Sequence, residues 1–118
     1  MNRGFEGCLV LYPQNEWDRI SARLRKLNLF VARNRAFYRQ FHNGATSVAL
    51  DNNGRVLVPR ALMAFAGIDK EAVLFAYADR IEVWAKDKYD MIMAQDSEEF
   101  ADLAEEVMGD LDDDLDQG

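Results

Sequence analysis

An aspartate and an arginine four residues apart, Asp51 and Arg55, enclose the segment of this 118-residue chain that is best suited to chemistry. Between them stand Asn52, Asn53 and Gly54, which tolerate positive φ and predict a tight turn. An arginine at the base of such a turn can reach a phosphate or a guanine edge. A nearby aspartate can hold the guanidinium in a fixed geometry. The turn would also bring its own backbone N–H groups close to a nucleic-acid backbone.

Other basic residues are weaker candidates for the same chemistry. Arg60, just after Pro59, is a second candidate contact to DNA. Arg33, Arg35 and Arg39 stand near aromatic residues and would serve subunit contacts or phosphate steering, although a solvated helix face explains them equally well. The turn itself also has a plain alternative: an ordinary hairpin with an Asp–Arg surface pair that contributes ~0–1 kcal/mol.

No arrangement typical of an enzyme is found in the sequence. The single histidine, His42, is expected at a helix end, and the single cysteine, Cys8, lies in an apolar strand and is expected in the core. Trp17, Trp84 and Tyr89 are expected in the core or an interface and not around a ligand. Phosphate-binding glycine loops, metal-ligand clusters and serine elbows are absent from the sequence. We therefore expect no enzymatic activity, cofactor, metal or small-molecule substrate.

Charge is divided unevenly along the chain. All 14 Lys and Arg residues lie in residues 1–93, together with 10 of the 21 acidic residues, whereas residues 94–118 hold 11 acids and no base. This asymmetry predicts a body able to bind nucleic acid and a separate acidic tail; a solvated surface with a solubilising tail would give the same counts. The lack of an apolar run of ~20 residues argues against a membrane span. The single cysteine favours a reducing cytoplasm.

Apolar spacing and turn residues predict the secondary structure. Asn15 is expected to cap a helix from about Glu16 that carries Trp17, Ile20, Leu24 and Leu27 on one face. Ser97 is expected to cap a later helix, and the chain from Gly109 is expected to be disordered. The other expected elements are a strand at 7–12, a helix at 30–42, a hairpin within 46–59, a short helix at 60–65, strands at 72–78 and 80–84, and helices at 86–93 and 97–108.

A short internal repeat links the two ends of the body. Residues 8–20 align without a gap to residues 80–92, at an offset of 72, and share the order of strand, aromatic residue, short break and helix. Chance similarity is the alternative. The second copy has about 35 residues ahead of this point, from near Thr46, whereas the first copy has seven. We therefore expect the first copy to lack its opening hairpin.

Three segments in the same order resemble the MraZ family. Residues 7–13 (GCLVLYP) with Glu16-Trp17 resemble the middle of that family, residues 50–59 (LDNNGRVLVP) with Ala66-Gly67-Ile68 resemble its second repeat, and residues 81–84 (IEVW) resemble its last strand. The resemblance covers residues 3 to about 93. It includes one Asp-x-x-x-Arg turn, where the family has two, and Asn53 stands where the family often has a basic residue.

The resemblance implies a β-rich α+β fold: an AbrB-like swapped-hairpin, double-split β-barrel with peripheral helices. Residues 1–43 would be the remnant of a first repeat, 44–93 the second repeat, and 94–118 an acidic helix and tail. The implied function is a repressor of the bacterial division and cell-wall gene cluster that binds repeated promoter boxes as a homo-oligomer, such as a ring. Its partners would be double-stranded DNA and copies of itself, in nucleoid-associated cytoplasm.

Two other functions are compatible with the same fold. One is an AbrB-like antitoxin, whose toxin-binding tail the acidic helix at 97–108 would suit. The 72-residue repeat argues against it, because such antitoxins carry a single half-barrel. The other is a structural oligomer that has lost DNA binding.

Overall fold

Four short strands form one antiparallel sheet in the order β1-β2-β4-β3. They are seen in a computed structural model, which describes the backbone of residues 1–96 and 99–117 and the side chains of residues 1–94 and 99–111. The predicted strands at 7–12, 72–78 and 80–84 are confirmed, with small differences at their ends. The strands are β1 (Asn2–Arg3), β2 (Leu9–Leu11), β3 (Ala72–Tyr77) and β4 (Arg80–Ala85).

Five helices account for most of the other described residues. The helices predicted near Glu16 and at 30–42, 60–65 and 86–93 are confirmed. However, the first begins before Asn15, so the predicted cap is wrong: Pro13 precedes the first turn, and its own φ of −58° suits a helix start without any side-chain cap. The helices are α1 (Gln14–Leu24), α2 (Ala32–Asn43), α3 (Arg60–Ala66), α4 (Lys86–Asp96) and α5 (Phe100–Gln117).

The acidic tail is helical, so the prediction of disorder from Gly109 is wrong. The apolar spacing of Phe100, Leu103 and Val107 continues to Leu111, and α5 runs on to Gln117. The predicted cap, Ser97, lies outside the described residues. With this helix, and without strands in the 46–59 segment, the fold is α+β as expected but not β-rich.

The chain divides into two compact units, Met1–Lys86 and Asp87–Gly118. In the first unit, Leu62 and Ala66 of α3 pack on Leu9 of β2 and Val83 of β4, and these four residues form one buried cluster of the core. Burying such aliphatic side chains stabilises the sheet–helix contact by ~1.5–3 kcal/mol for each leucine or valine. The second unit contains α5 and nearly all of α4.

The predicted repeat coincides with an approximate two-fold relation in the sheet. Strands β2 and β4 are antiparallel neighbours, and Val10 lies opposite Glu82 at the centre of their ladder. These two residues are 72 apart, so the pair related by the repeat is also the pair that faces across the ladder. The helices that follow begin at residues 14 and 86, which are again 72 apart. The hairpins β1–β2 and β3–β4 therefore occupy equivalent places on the two sides of the sheet.

Candidate nucleic-acid interface

The turn from Asp51 to Arg55 is closed by four hydrogen bonds. Oδ1 of Asp51 accepts the backbone N–H of Asn53 at 2.9 Å and that of Arg55 at 2.8 Å. The Asp51 N–H donates to the Arg55 carbonyl oxygen at 2.9 Å, and the Gly54 N–H donates to the Asp51 carbonyl oxygen at 3.0 Å. Gly54 has φ of +75°, which favours glycine at this position. The predicted turn is thus confirmed, and its backbone is fixed.

Asp51 does not hold the Arg55 guanidinium, so this expectation is wrong. The aspartate oxygen lies closer to the N–H groups two and four residues ahead, which an Asx turn brings to it without ordering a long side chain. Among the side chains of residues 1–94 and 99–111, none forms an ion pair or a hydrogen bond with the Arg55 guanidinium. Asp51 therefore positions the backbone of Arg55 and leaves its charge exposed.

The predicted use of turn N–H groups is also partly wrong. Those of Asn53 and Gly54 are occupied by Asp51, as described above, and are not free to meet a phosphate. All five residues from 51 to 55 are nevertheless exposed. The groups of the turn that remain available to a partner are side chains: the Asn52 and Asn53 amides and the Arg55 guanidinium.

The runs on either side of the turn, 46–50 and 56–58, do not form the predicted strands. Their described backbone contacts lie elsewhere: Thr46 and Met1 exchange two N–H to carbonyl hydrogen bonds of 2.9 Å each. Val58 packs against the core of the first unit. The prediction of strands from the apolar alternation is therefore wrong here: a strand requires a ladder partner, and these runs have none among the described residues.

A groove of about 730 Å³ lies between these runs and the sheet. Its walls come from both halves of the repeat, because they include the end of β2, the start of α1 and the start of β4. Much of the lining is apolar, and two charged residues, Asp79 and Arg80, stand among it. Lining residues include Leu11, Tyr12, Trp17, Val48, Leu50, Val56, Ala76 and Ile81.

Arg60 occupies the first position of α3 and is exposed. Because Leu62 and Ala66 anchor α3 in the core, the backbone at Arg60 is fixed as well. Five residues of chain can span at most about 18 Å, so Arg55 and Arg60 lie within that distance of one another. The two predicted arginines are therefore close in the chain and both reach solvent.

The three arginines of α2 differ in their surroundings. Arg35 donates from Nη1 to the carbonyl oxygens of Leu29 and Phe30, at 2.9 and 3.0 Å, so it braces the loop before the helix. Arg33 and Arg39 are exposed. Of the three, Arg33 and Arg39 fit the expected subunit or phosphate contacts better than Arg35.

A pair of carboxylic acids, Glu16 and Asp79, was missed by the sequence reasoning. Glu16 is buried at the start of α1, and its hydrogen bond to the Asp79 side chain raises the pKa of Glu16 and lowers that of Asp79. Each also faces an arginine at 3.3 Å, Arg19 for Glu16 and Arg80 for Asp79. Because the two acids are 63 residues apart in the chain, only the fold could bring them together.

Cys8 and His42, which were expected not to be catalytic, lie in the core and at a helix end. Cys8 is 1% exposed, and burial raises the pKa of its thiol to about 11. Nδ1 of His42, in the last turn of α2, donates to the Tyr38 carbonyl oxygen at 3.0 Å. Both predictions are confirmed. Among the described residues, no cluster of His, Cys, Asp and Glu could hold a metal ion, and no helix is long and apolar enough to cross a membrane.

The regions that match known proteins include the turn, the groove and most of the chain. The sequence profile described as "MraZ protein, putative antitoxin-like" matches residues 41–111. The chain belongs to the MraZ family. The MraZ match includes both the Asp51–Arg55 turn and the described side chains of α5, so the expected resemblance is confirmed and extends further towards the C-terminus.

Individual MraZ proteins cover nearly the whole chain. A relative from Christiangramia forsetii is 48% identical over 105 residues, which are 89% of this chain and 68% of the relative. Relatives from Flavobacterium psychrophilum (44%) and Cytophaga hutchinsonii (43%) align over 93% and 92% of this chain, and over 70% and 72% of their own lengths. All three are named transcriptional regulator MraZ.

Proposed function

We propose that this chain is a DNA-binding transcriptional regulator that grips DNA through the exposed turn 51–55. The observation that carries the proposal is the Arg55 guanidinium, which is exposed on a turn whose backbone is fixed by Asp51. A fixed backbone reduces the conformational entropy that binding would cost. The relatives' shared name supports regulation of transcription as the purpose of that contact.

Arg55 and Arg60 are the proposed charged contacts, and Asn52 and Asn53 are proposed to hydrogen-bond base edges or phosphates. Guanidinium groups suit both phosphate oxygens and guanine edges, and amides suit adenine edges. In this proposal, Asp51 and Gly54 position the contacts and do not make them. We place the action on repeated promoter boxes of the division and cell-wall gene cluster, as a repressor in nucleoid-associated cytoplasm.

We further propose that the AbrB-like barrel is completed between chains. The runs 46–50 and 56–58 have strand-like sequences without a ladder partner, and the apolar groove beside them joins both halves of the repeat. A hairpin from a second copy, seated in that groove, would supply strands where the barrel needs them. Oligomers would then present several turns to repeated boxes, which multiplies a weak single contact.

The approximate two-fold relation between β2 and β4 supports a division into repeats, with 1–43 in the first, 44–93 in the second and 94–118 as an appendage. It also favours the regulator over an AbrB-like antitoxin, because one chain carries parts of two half-barrels. A purely structural oligomer would share the barrel, but it would have no use for an exposed arginine on a fixed turn.

Binding to a duplex with direct repeats tests the proposal. Fluorescence anisotropy should show that Arg55→Ala weakens binding at least tenfold, since each chain contributes few contacts and the loss is multiplied across an oligomer. Arg23→Ala is the matched control, because Arg23 is exposed on α1 outside the turn, and it should bind nearly as the wild type does. Equal binding by wild type and Arg55→Ala would reject the site.

A further inference from the structure

Two side chains of β1 bond to the last turn of α2. Nδ2 of Asn2 donates to the Phe41 carbonyl oxygen at 2.8 Å, and Nη2 of Arg3 donates to the Gln40 carbonyl oxygen at 2.6 Å. Both oxygens belong to the last four carbonyls of α2, which a helix leaves without a partner of its own. The negative end of the helix dipole also favours a cation here. The end of α2 therefore holds the Arg3 guanidinium in place.

The same guanidinium also contacts α3. Cζ of Arg3 lies 5.4 Å from the centroid of the Phe65 ring, which is within the range of a cation–π interaction. Phe65 belongs to the last turn of α3, and the first residue of that helix is Arg60. Arg3 thus connects the end of α2 to the helix that carries one of the two proposed charged contacts to DNA.

The glycine that follows α2 leaves room for this arginine. Gly44 has φ of −95°, which other residues also adopt, so the backbone does not require glycine there. A Cβ at residue 44 would instead lie 2.6 Å from Nε of Arg3 and 2.9 Å from its Cγ. These atoms stand in the middle of a side chain that is held at its far end. A larger residue at 44 would therefore displace the whole Arg3 side chain.

We propose that Arg3 is a positioning residue for Arg60, and that Gly44 supplies the space that Arg3 needs. Arg3 acts within the protein, because its guanidinium is engaged by the Gln40 carbonyl and the Phe65 ring. This role rests on the proposed function, in which Arg60 is a charged contact to DNA. It gives β1 and the end of α2 a part in DNA binding, although neither meets the duplex.

The contact with Phe65 opposes a rotation that the core contacts of α3 leave open. Leu62 and Ala66 are about one helical turn apart, so they hold α3 along one line on the core. Phe65 lies to one side of that line, and a contact there opposes rotation of the helix about its axis. Arg60 lies nearly opposite Leu62 around the helix, so its side chain would move far in such a rotation. A fixed direction for Arg60 lowers the entropy that DNA binding costs.

A double-mutant cycle on the repeated duplex tests this role by fluorescence anisotropy. Arg3→Ala should weaken DNA binding at least about fivefold when Arg60 is present. In a chain that already carries Arg60→Ala, the same substitution should change binding less than about 1.5-fold, because Arg3 acts through that residue. Arg23→Ala is the matched control, since it removes the same charge from an exposed position on α1. It should bind like its parent chain in both backgrounds.

Gly44→Ala tests the same contact while the arginine remains in the chain. It should weaken DNA binding about as much as Arg3→Ala does, and it should add nothing to Arg3→Ala, whose short side chain leaves room for the new Cβ. Gly109→Ala is the matched control, since no atom of the described residues, apart from the adjacent helix backbone, lies within 4 Å of a Cβ there. Circular dichroism checks that each variant folds, and Gly44→Ala keeps the test open if Arg3→Ala does not.

Three results would overturn the proposal. Equal losses from Arg3→Ala with and without Arg60 would mean that Arg3 acts on DNA or on the fold independently of that residue. Normal binding by Gly44→Ala would mean that the path of the Arg3 side chain does not matter. If Arg60→Ala alone leaves binding unchanged, Arg3 has no contact to position; the turn at Arg55, which Arg55→Ala tests separately, would still stand.

Discussion

At the residue scale, the shape of the turn depends on the groups that the Asp51 carboxylate bonds. The sequence suggested that Asp51 and Arg55 form a charged pair, yet the aspartate bonds the backbone at residues 53 and 55. A local backbone bond orders no long side chain, whereas a surface ion pair does and contributes little in water. Asp51 thus shapes the turn, and Arg55 remains exposed.

Two substitutions of Asp51 should have different effects on the hydrogen exchange of the turn amides. Asp51→Asn keeps an oxygen acceptor at the same place, so the amides of residues 53 and 55 should remain protected from hydrogen exchange. Asp51→Ala removes it, which should cost about 1 kcal/mol and speed the exchange of both amides about fivefold. Two-dimensional NMR of exchange in D₂O measures both. Equal protection in the two variants would show that the side chain does not fix the turn.

At the element scale, the carboxyl pair ties α1 to the turn between β3 and β4. Glu16 is at the start of the helix, and Asp79 is in the turn beside Ala78, which adopts a φ of +52°. The hydrogen bond between the carboxyl groups needs a proton on Glu16, which is why the pKa of Glu16 is raised and that of Asp79 lowered.

The pKa shifts of Glu16 and Asp79 predict how the free energy of unfolding depends on pH. For Glu16, the stabilisation is present in full below its unfolded pKa of 4.5 and is lost as pH rises through the higher folded pKa. For Asp79, the sign is opposite: stabilisation is present above 3.8 and is lost as pH falls through the lower folded pKa. Glu16→Gln keeps a hydrogen-bond donor that does not titrate. Its Tm should therefore decline less than the wild-type Tm as the pH rises above 4.5.

Thermal unfolding followed by circular dichroism makes this comparison, with Asp18→Asn as a control on the same helix. Asp18 is exposed, so its substitution should leave the wild-type slope unchanged. Identical slopes for wild type and Glu16→Gln would mean that the proton on Glu16 does not stabilise the fold.

Some elements could be predicted from sequence and others could not. Strands β2 and β4 follow from apolar spacing, because that spacing reflects a face that is buried in this chain. Strand β3 and helix α2 were predicted from similar spacing, although neither has a buried residue. The runs beside residues 51–55 have the same spacing, but they lack a ladder partner among the described residues. The spacing of a run does not show which other strand it would pair with. Likewise, no local pattern indicates that Glu16 meets Asp79, since their contact depends on how α1 crosses the sheet.

At the scale of the whole molecule, the exposed apolar side chains of the runs 46–50 and 56–58 argue for association. Leu50 is 69% exposed and Leu57 is 89% exposed, on runs that flank the groove. Closure of a barrel between two chains would bury groups of this kind, and each buried leucine contributes ~1.5–3 kcal/mol.

Substitutions in the runs 46–50 and 56–58 should weaken the proposed association of two chains at the groove. Leu50→Asp and Leu57→Asp should each lower the mass measured by sedimentation equilibrium, because a carboxylate would be buried on closure. Met91→Asp is the control, since Met91 is 62% exposed on α4, in the other unit. A wild-type chain that stays monomeric at about 100 µM would contradict closure.

The salt dependence of DNA binding shows whether Arg55 meets phosphates. Each phosphate contact that a cation makes releases a counterion, so the slope of log affinity against log salt counts those contacts. If Arg55 meets phosphates, Arg55→Ala should reduce that slope by ~1 for every bound chain, while Arg23→Ala leaves it unchanged. Equal slopes for wild type and Arg55→Ala, on the same repeated boxes, would mean that the turn does not carry the charge that meets DNA.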